Sequence, residues 1–143
     1  MLHKTKNTIC NTEKSYQFKA YLGLTYLDNG TVVSITNFDD FIPVIADAFP
    51  EGFTLYDGTG GYQFEGKTFT EPNKILEIVI TEKIFEESYR KFTKLLRQYS
   101  EQYRQFSEFY TVTETFSKFL LSTDPVDNCC KCKCMCKSKN RCC

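Results

Sequence analysis

FPEGFTLYDGTGGYQFEGKTFTEPNK, residues 49–74, gathers five of the chain's seven glycines, at Gly52, Gly58, Gly60, Gly61 and Gly66. Glycine reaches positive φ and turns tightly without a side-chain clash. The stretch is therefore expected to be the corner of the fold, joining a helix before it to strands after it. Phe53 and Leu55 alternate with Thr54 and Tyr56 as a strand expected to close at Asp57-Gly58. Tyr62 to Thr70, interrupted by Gly66-Lys67, reads as a small hairpin or a meandering edge. No catalytic signature is present: DGTGG lacks the trailing Lys-Ser/Thr of a phosphate loop, and no helix follows it.

On the N-terminal side, Thr36 or Asn37 can cap a helix whose first turn carries Asp39 and Asp40, acids that suit the positive end of its dipole. Phe38, Phe41, Ile42, Ile45, Ala46 and Phe49 recur at helical spacing, and Pro43 bends this helix unless it lies in the first turn. Further back, Tyr16 to Leu27 alternates as a half-buried strand, and Asp28-Asn29-Gly30 is a turn before a short return over Thr31 to Ile35. On the C-terminal side, KILEIVIT (74–81) is apolar enough to be a central strand. Thr81 then caps a long helix with the stripe Phe85, Tyr89, Phe92, Leu96, Tyr99, Tyr103 and Phe106, acidic early and basic late. EFYTVTETF (108–116) supplies the last strand.

The order strand, helix, strand, strand, helix, strand is that of a ferredoxin-like α+β fold, a split βαβ with an antiparallel sheet and both helices on one face. The other face then carries Tyr21, Tyr56, Glu77, Val79, Thr111 and Thr113, too apolar in places to stay bare. A homodimer through Tyr21, Tyr56 and Val79 is expected, because tyrosines bury a ring and keep the hydroxyl satisfied.

These residues resemble an uncharacterised family of small bacterial proteins, many of them exported lipoproteins, known as a domain of unknown function. The resemblance rests on Gly23-Leu24, Phe49-Pro50, Gly52, Thr54, Asp57-Gly58, Gly60, Tyr62, Glu71, Lys74, Gln105 and Ser107, spread over about residues 16–116. Tyr62 stands where the family has Trp, and the family's N-terminal lipidation signal is absent. The resemblance implies the same fold and brings no established activity.

At 143 residues the chain has room for one domain, expected at residues 16–121 between a loose N-terminus (1–15) and a linker with a tail (122–143). The formal charge is zero, but residues 129–143 hold five bases and no acid, so thirteen bases face eighteen acids elsewhere. An acidic body repels phosphates, which argues against a nucleic-acid surface on it. Seven of the eight cysteines lie in that tail, CCKCKCMCKSKNRCC, and neither a signal peptide nor a bilayer-spanning run is evident. An intracellular setting is expected, at the cytoplasmic face of a membrane. Cys142 and Cys143 resemble a prenylated end, with Cys129 and Cys130 as acylation sites. Alternatively Cys129, Cys130, Cys132, Cys134 and Cys136 bind zinc or copper as thiolates, or the tail is a reactive segment without function.

Asp57, Tyr62, Glu71 and Lys74 can converge near the sheet edge as a polar site with Glu71 as general base. The competing reading makes Asp57 a turn residue, with Glu71 and Lys74 holding the loop. His3 is the sole histidine, so a His-dependent triad is excluded, and no cofactor motif is present. The leading expectation is a non-catalytic binding or oligomerisation domain, tethered to a membrane by a lipidated tail. The alternatives are a small enzyme using the Asp57, Tyr62, Glu71 corner and a protein that binds metal through its tail.

Overall fold

The structure, a computed structural model, describes residues 12–124. Six strands and two helices follow in the order β1 (Glu13–Gly23), β2 (Thr25–Asp28), β3 (Thr31–Ser34), α1 (Ile42–Ala48), β4 (Thr54–Phe64), β5 (Lys67–Thr81), α2 (Phe85–Gln102) and β6 (Phe109–Ser117). Four strands form one antiparallel sheet in the order β4-β5-β1-β6, and β2 and β3 pair as a separate hairpin. The protein is thus a mixed α+β fold built on an antiparallel sheet and two helices.

All three ladders of the large sheet run in unbroken register, so side chains alternate strictly between its faces. Phe18, Ala20, Leu22, Leu76, Ile78 and Ile80 fill one face and are buried against Phe38, Phe41, Ile45, Phe92, Leu96 and Tyr99. Each large apolar side chain removed from water contributes about 1.5–3 kcal/mol, so this face orients both helices. The opposite face leaves Tyr56, Val79 and Phe109 exposed, while Tyr21 packs against Phe109.

Local chemistry explains the boundaries. Asn29 and Gly30 both have positive φ, the geometry of a two-residue hairpin turn, and they close β2 onto β3. The strand expected to run through Leu27 breaks at Leu24, whose N–H donates to Pro72 O just past the last β1–β5 pair. Pro43 falls in the first turn of α1, after a 3-10 turn over Phe38–Phe41, where its missing N–H takes nothing from the helix. The stripe of α2 is buried as expected except at its end: the helix stops at Gln102, Arg104 turns to positive φ, and Phe106 is fully exposed.

The glycine corner is the main departure. The strand expected to close at Asp57-Gly58 continues to Phe64, and the chain reverses at Glu65-Gly66, both at positive φ. Gly58, Gly60 and Gly61 are strand residues. A Cβ on Gly58 would collide with Asn73 Oδ1 and lie 2.9 Å from Ile75 Cδ1, and one on Gly60 would lie 3.3 Å from Asn73 Nδ2. These glycines let the Asn73 side chain lie flat across β4.

Candidate functional site

The four residues singled out in the sequence separate. Asp57 and Lys74 sit opposite each other on the helix side of β4 and β5 and form an ion pair, with Lys74 Nζ 5.9 Å from the centre of the Phe38 ring. Tyr62 and Glu71 lie on the open face. Tyr62 stacks on its cross-strand partner Phe69, with ring centroids 5.3 Å apart. One step inward along the ladder, Glu71 faces Gly60 and accepts a hydrogen bond from Thr25 Oγ1 at 3.2 Å.

At the C-terminal end of β1, next to the Thr25 that bonds Glu71, three chain segments meet. Tyr99 on α2 is fully buried and donates to Gly23 O at 2.5 Å. Gln105 Nε2 donates to Thr25 O at 2.8 Å and to Tyr103 O at 3.1 Å, and a Cβ on Gly23 would lie 2.5 Å from Gln105 Oε1. The Gly23-Leu24 and Gln105 motifs are thus two halves of one contact. Glu108, the last residue before β6, accepts from Ser100 Oγ at 3.3 Å through Oε1. Its Oε2 and Asn73 Oδ1 are the two buried side-chain polar atoms among the described residues that have no hydrogen-bond partner.

Burial pushes the Glu108 carboxyl up to about 8; the hydrogen bond from Ser100 opposes this and the charge on Glu71 adds to it. At neutral pH Glu108 is mostly the neutral acid. A buried carboxyl held in its neutral form can donate a proton. Burial also raises Tyr99 well above the ordinary phenol range, with the Glu108 charge contributing. Tyr99 is therefore a fixed donor that ties α2 to the end of β1.

Sequence reading missed Glu108, Asn73 and Thr25. Glu108 carries no local signal, since it stands just before a strand in which apolar and polar residues are mixed. The neighbouring Gln105-x-Ser107 element is the nearest clue. Elsewhere on the open face Glu77 accepts from Tyr56 Oη at 2.6 Å and pairs with Lys19 at 3.0 Å, and both hold its carboxyl below its usual range. A cleft of about 620 Å³ lies at the other end of β5, lined by Phe49 to Thr54, the last residues of β5 and the first turns of α2. It contains no unpartnered buried polar atom, so the corner at Glu71 and Glu108 is the better chemical candidate.

Among the described residues no group of His, Cys, Asp and Glu is arranged to hold a metal ion, and no helix is long and apolar enough to cross a membrane. The tail readings, lipid at Cys129, Cys130, Cys142 and Cys143 or metal at Cys129 to Cys136, lie outside the described residues.

No functionally curated protein matches the chain. Among solved structures, a phage SAM lyase in complex with S-methyl-5'-thioadenosine is similar in fold, at 16% identity and a TM-score of 0.50, over 75% of this chain and 93% of that one. The phage SAM lyase in the apo state is similar at 13% identity and a TM-score of 0.45, over 75% and 86%. The expectation of a non-catalytic binding or oligomerisation domain does not stand. It rested on an open sheet face and the absence of a cofactor motif, and an enzyme of similar fold removes the force of both. Residues 17–119 match DUF3574, a family described as protein of unknown function, and the chain belongs to that family.

Proposed function

We propose that this protein is a small enzyme that acts on a bound small molecule by general acid–base catalysis, with Glu108 as the acid and Glu71 as the base. The observation that supports the reading is the buried Glu108 Oε2 without a hydrogen-bond partner, on a carboxyl that burial pushes up and whose titration the charge on Glu71 also raises. In one turnover Glu71 takes a proton from the substrate and Glu108 gives its own to the group that gains electron density. Exchange with water then restores both. Gln105 and Thr25 hold the Glu71 side of the site, and Tyr99 fixes the strand end beneath it. A carboxyl kept neutral by burial is the proton donor that such chemistry requires.

The similarity in fold to a phage SAM lyase names the first reaction to test, while the weight of the reading rests on the two carboxyls. The assay offers SAM to the full chain and follows S-methyl-5'-thioadenosine by chromatography. Glu71→Gln and Glu108→Gln are each expected to slow turnover by about 100-fold or more, with circular dichroism unchanged. Absence of turnover in the wild type removes the lyase reading, and wild-type rates in both variants remove the acid–base reading.

We further propose that the four-stranded sheet with its two helices is a ferredoxin-like arrangement carrying β2–β3 as an inserted hairpin. Its domain, expected at residues 16–121, takes in the whole of β1 from Glu13, and two copies pair through the open face around Tyr21, Tyr56 and Val79. The regular alternation of the ladders and the exposure of Val79 support this arrangement.

A further inference from the structure

We propose that the β4–β5 hairpin and Glu71 form a binding site for a small organic cation that carries a flat ring. The inference deepens the acid–base reading and rests on it for the role of Glu71. Tyr62 and Phe69 stack at an interplanar angle of 18°, yet remain 57% and 41% exposed. Two aromatic rings stacked and left in water form a ready platform for a third flat ring. Their faces are electron-rich and attract a cation.

The register sets the charge beside the platform. Glu71 lies one same-face step inward from Phe69, and opposite it Gly60 has no side chain to fence off the carboxylate. Among the described residues neither Glu71 nor Glu108 has a lysine or arginine within ion-pair distance, whereas Glu77 on the same face is paired with Lys19. The neighbouring cations are directed elsewhere. Lys74 is paired with Asp57 on the opposite face, and Arg104 is held by Asp28 at 3.3 Å and by the Tyr26 ring at 4.8 Å. Lys67 sits two same-face steps out from Glu71, at the exposed hairpin tip. Asn73, more than nine-tenths buried with Oδ1 unpartnered, lies one step further in and adds an acceptor. A positive group is what this set of acceptors lacks, and a flat ring is what the platform lacks.

The test titrates the full, isotope-labelled chain with N-methylquinolinium and with neutral quinoline at pH 7.5, following amide shifts by NMR. The cation is expected to bind about ten-fold tighter than its neutral counterpart, with shifts centred on Tyr62, Phe69 and Glu71. Tyr62→Ala is expected to weaken both probes. Glu71→Gln is expected to leave ring binding and abolish the preference for charge. Equal affinities in the wild type, or shifts centred on the cleft at the far end of β5, overturn the proposal. Glu108→Gln separates this from the catalytic reading. If it still prefers the cation and the wild type turns nothing over, the binding site stands and the catalytic role falls.

Discussion

Replacing Glu108 with Gln tests the central electrostatic claim without a substrate. In the folded chain the carboxyl is pushed from an ordinary 4.5 up to about 8. Between those values the folded protein keeps a proton that the unfolded chain has released. The stability tied to this group is fully present below pH 4.5 and is lost as pH rises toward 8, because the unfolded state binds fewer protons there. The steepest slope one group can give is about 1.4 kcal/mol per pH unit, so pH 5.5 to 7.5 removes at most about 2.7 kcal/mol. Glu108 as a residue is only half-buried, and screening lowers the expected loss to about 1–2 kcal/mol. Gln has the shape of the protonated acid and does not titrate in this range. Urea unfolding of the wild type and Glu108→Gln at several pH values from 5.5 to 8.5, with m-values compared, isolates the contribution as a double difference. The wild type is expected to lose stability relative to the variant across this range. Parallel curves within about 0.5 kcal/mol would refute the buried-acid assignment, because every other titrating group is common to both proteins.

Further outcomes follow from the packing. Tyr99→Phe leaves the Gly23 carbonyl without its donor and is expected to lower stability by about 1–2 kcal/mol in the same urea assay. Gly58→Ala drives a Cβ into Asn73 and Ile75 and is expected to cost about 1–3 kcal/mol. Adding Asn73→Ala should recover part of that loss, and strict additivity in the double-mutant cycle contradicts the contact. Val79→Lys is expected to convert a dimer into a folded monomer by sedimentation velocity; a wild type already monomeric at micromolar concentration disproves pairing through the open face.

Periodicity was legible in the chain because local rules govern it. The stripe from Phe85 to Tyr103 obeys helical spacing, KILEIVIT alternates as a strand, and Asn29-Gly30 carries turn chemistry that needs no distant partner. The helices, the central strand over 74–81 and the α+β class therefore follow from the sequence, whereas the full lengths of β4 and β5 do not. The resemblance spread over residues 16–116 agrees with family membership over 17–119. The glycine stretch was misread because a glycine's role depends on what lies across from it. Gly52 and Gly66 are at positive φ, whereas Gly58 and Gly60 clear space for Asn73, and only the β4–β5 register decides which. The same register sent Asp57 and Lys74 to one face and Tyr62 and Glu71 to the other. Glu108 was invisible for a related reason: an acidic residue at a strand's start reads as exposed. Its raised pKa comes from burial at the α2–β6 junction and from Glu71, 37 residues earlier in the chain. Spacing within the chain determined the elements; burial and cross-strand register, which arise when distant segments meet, decided the candidate site.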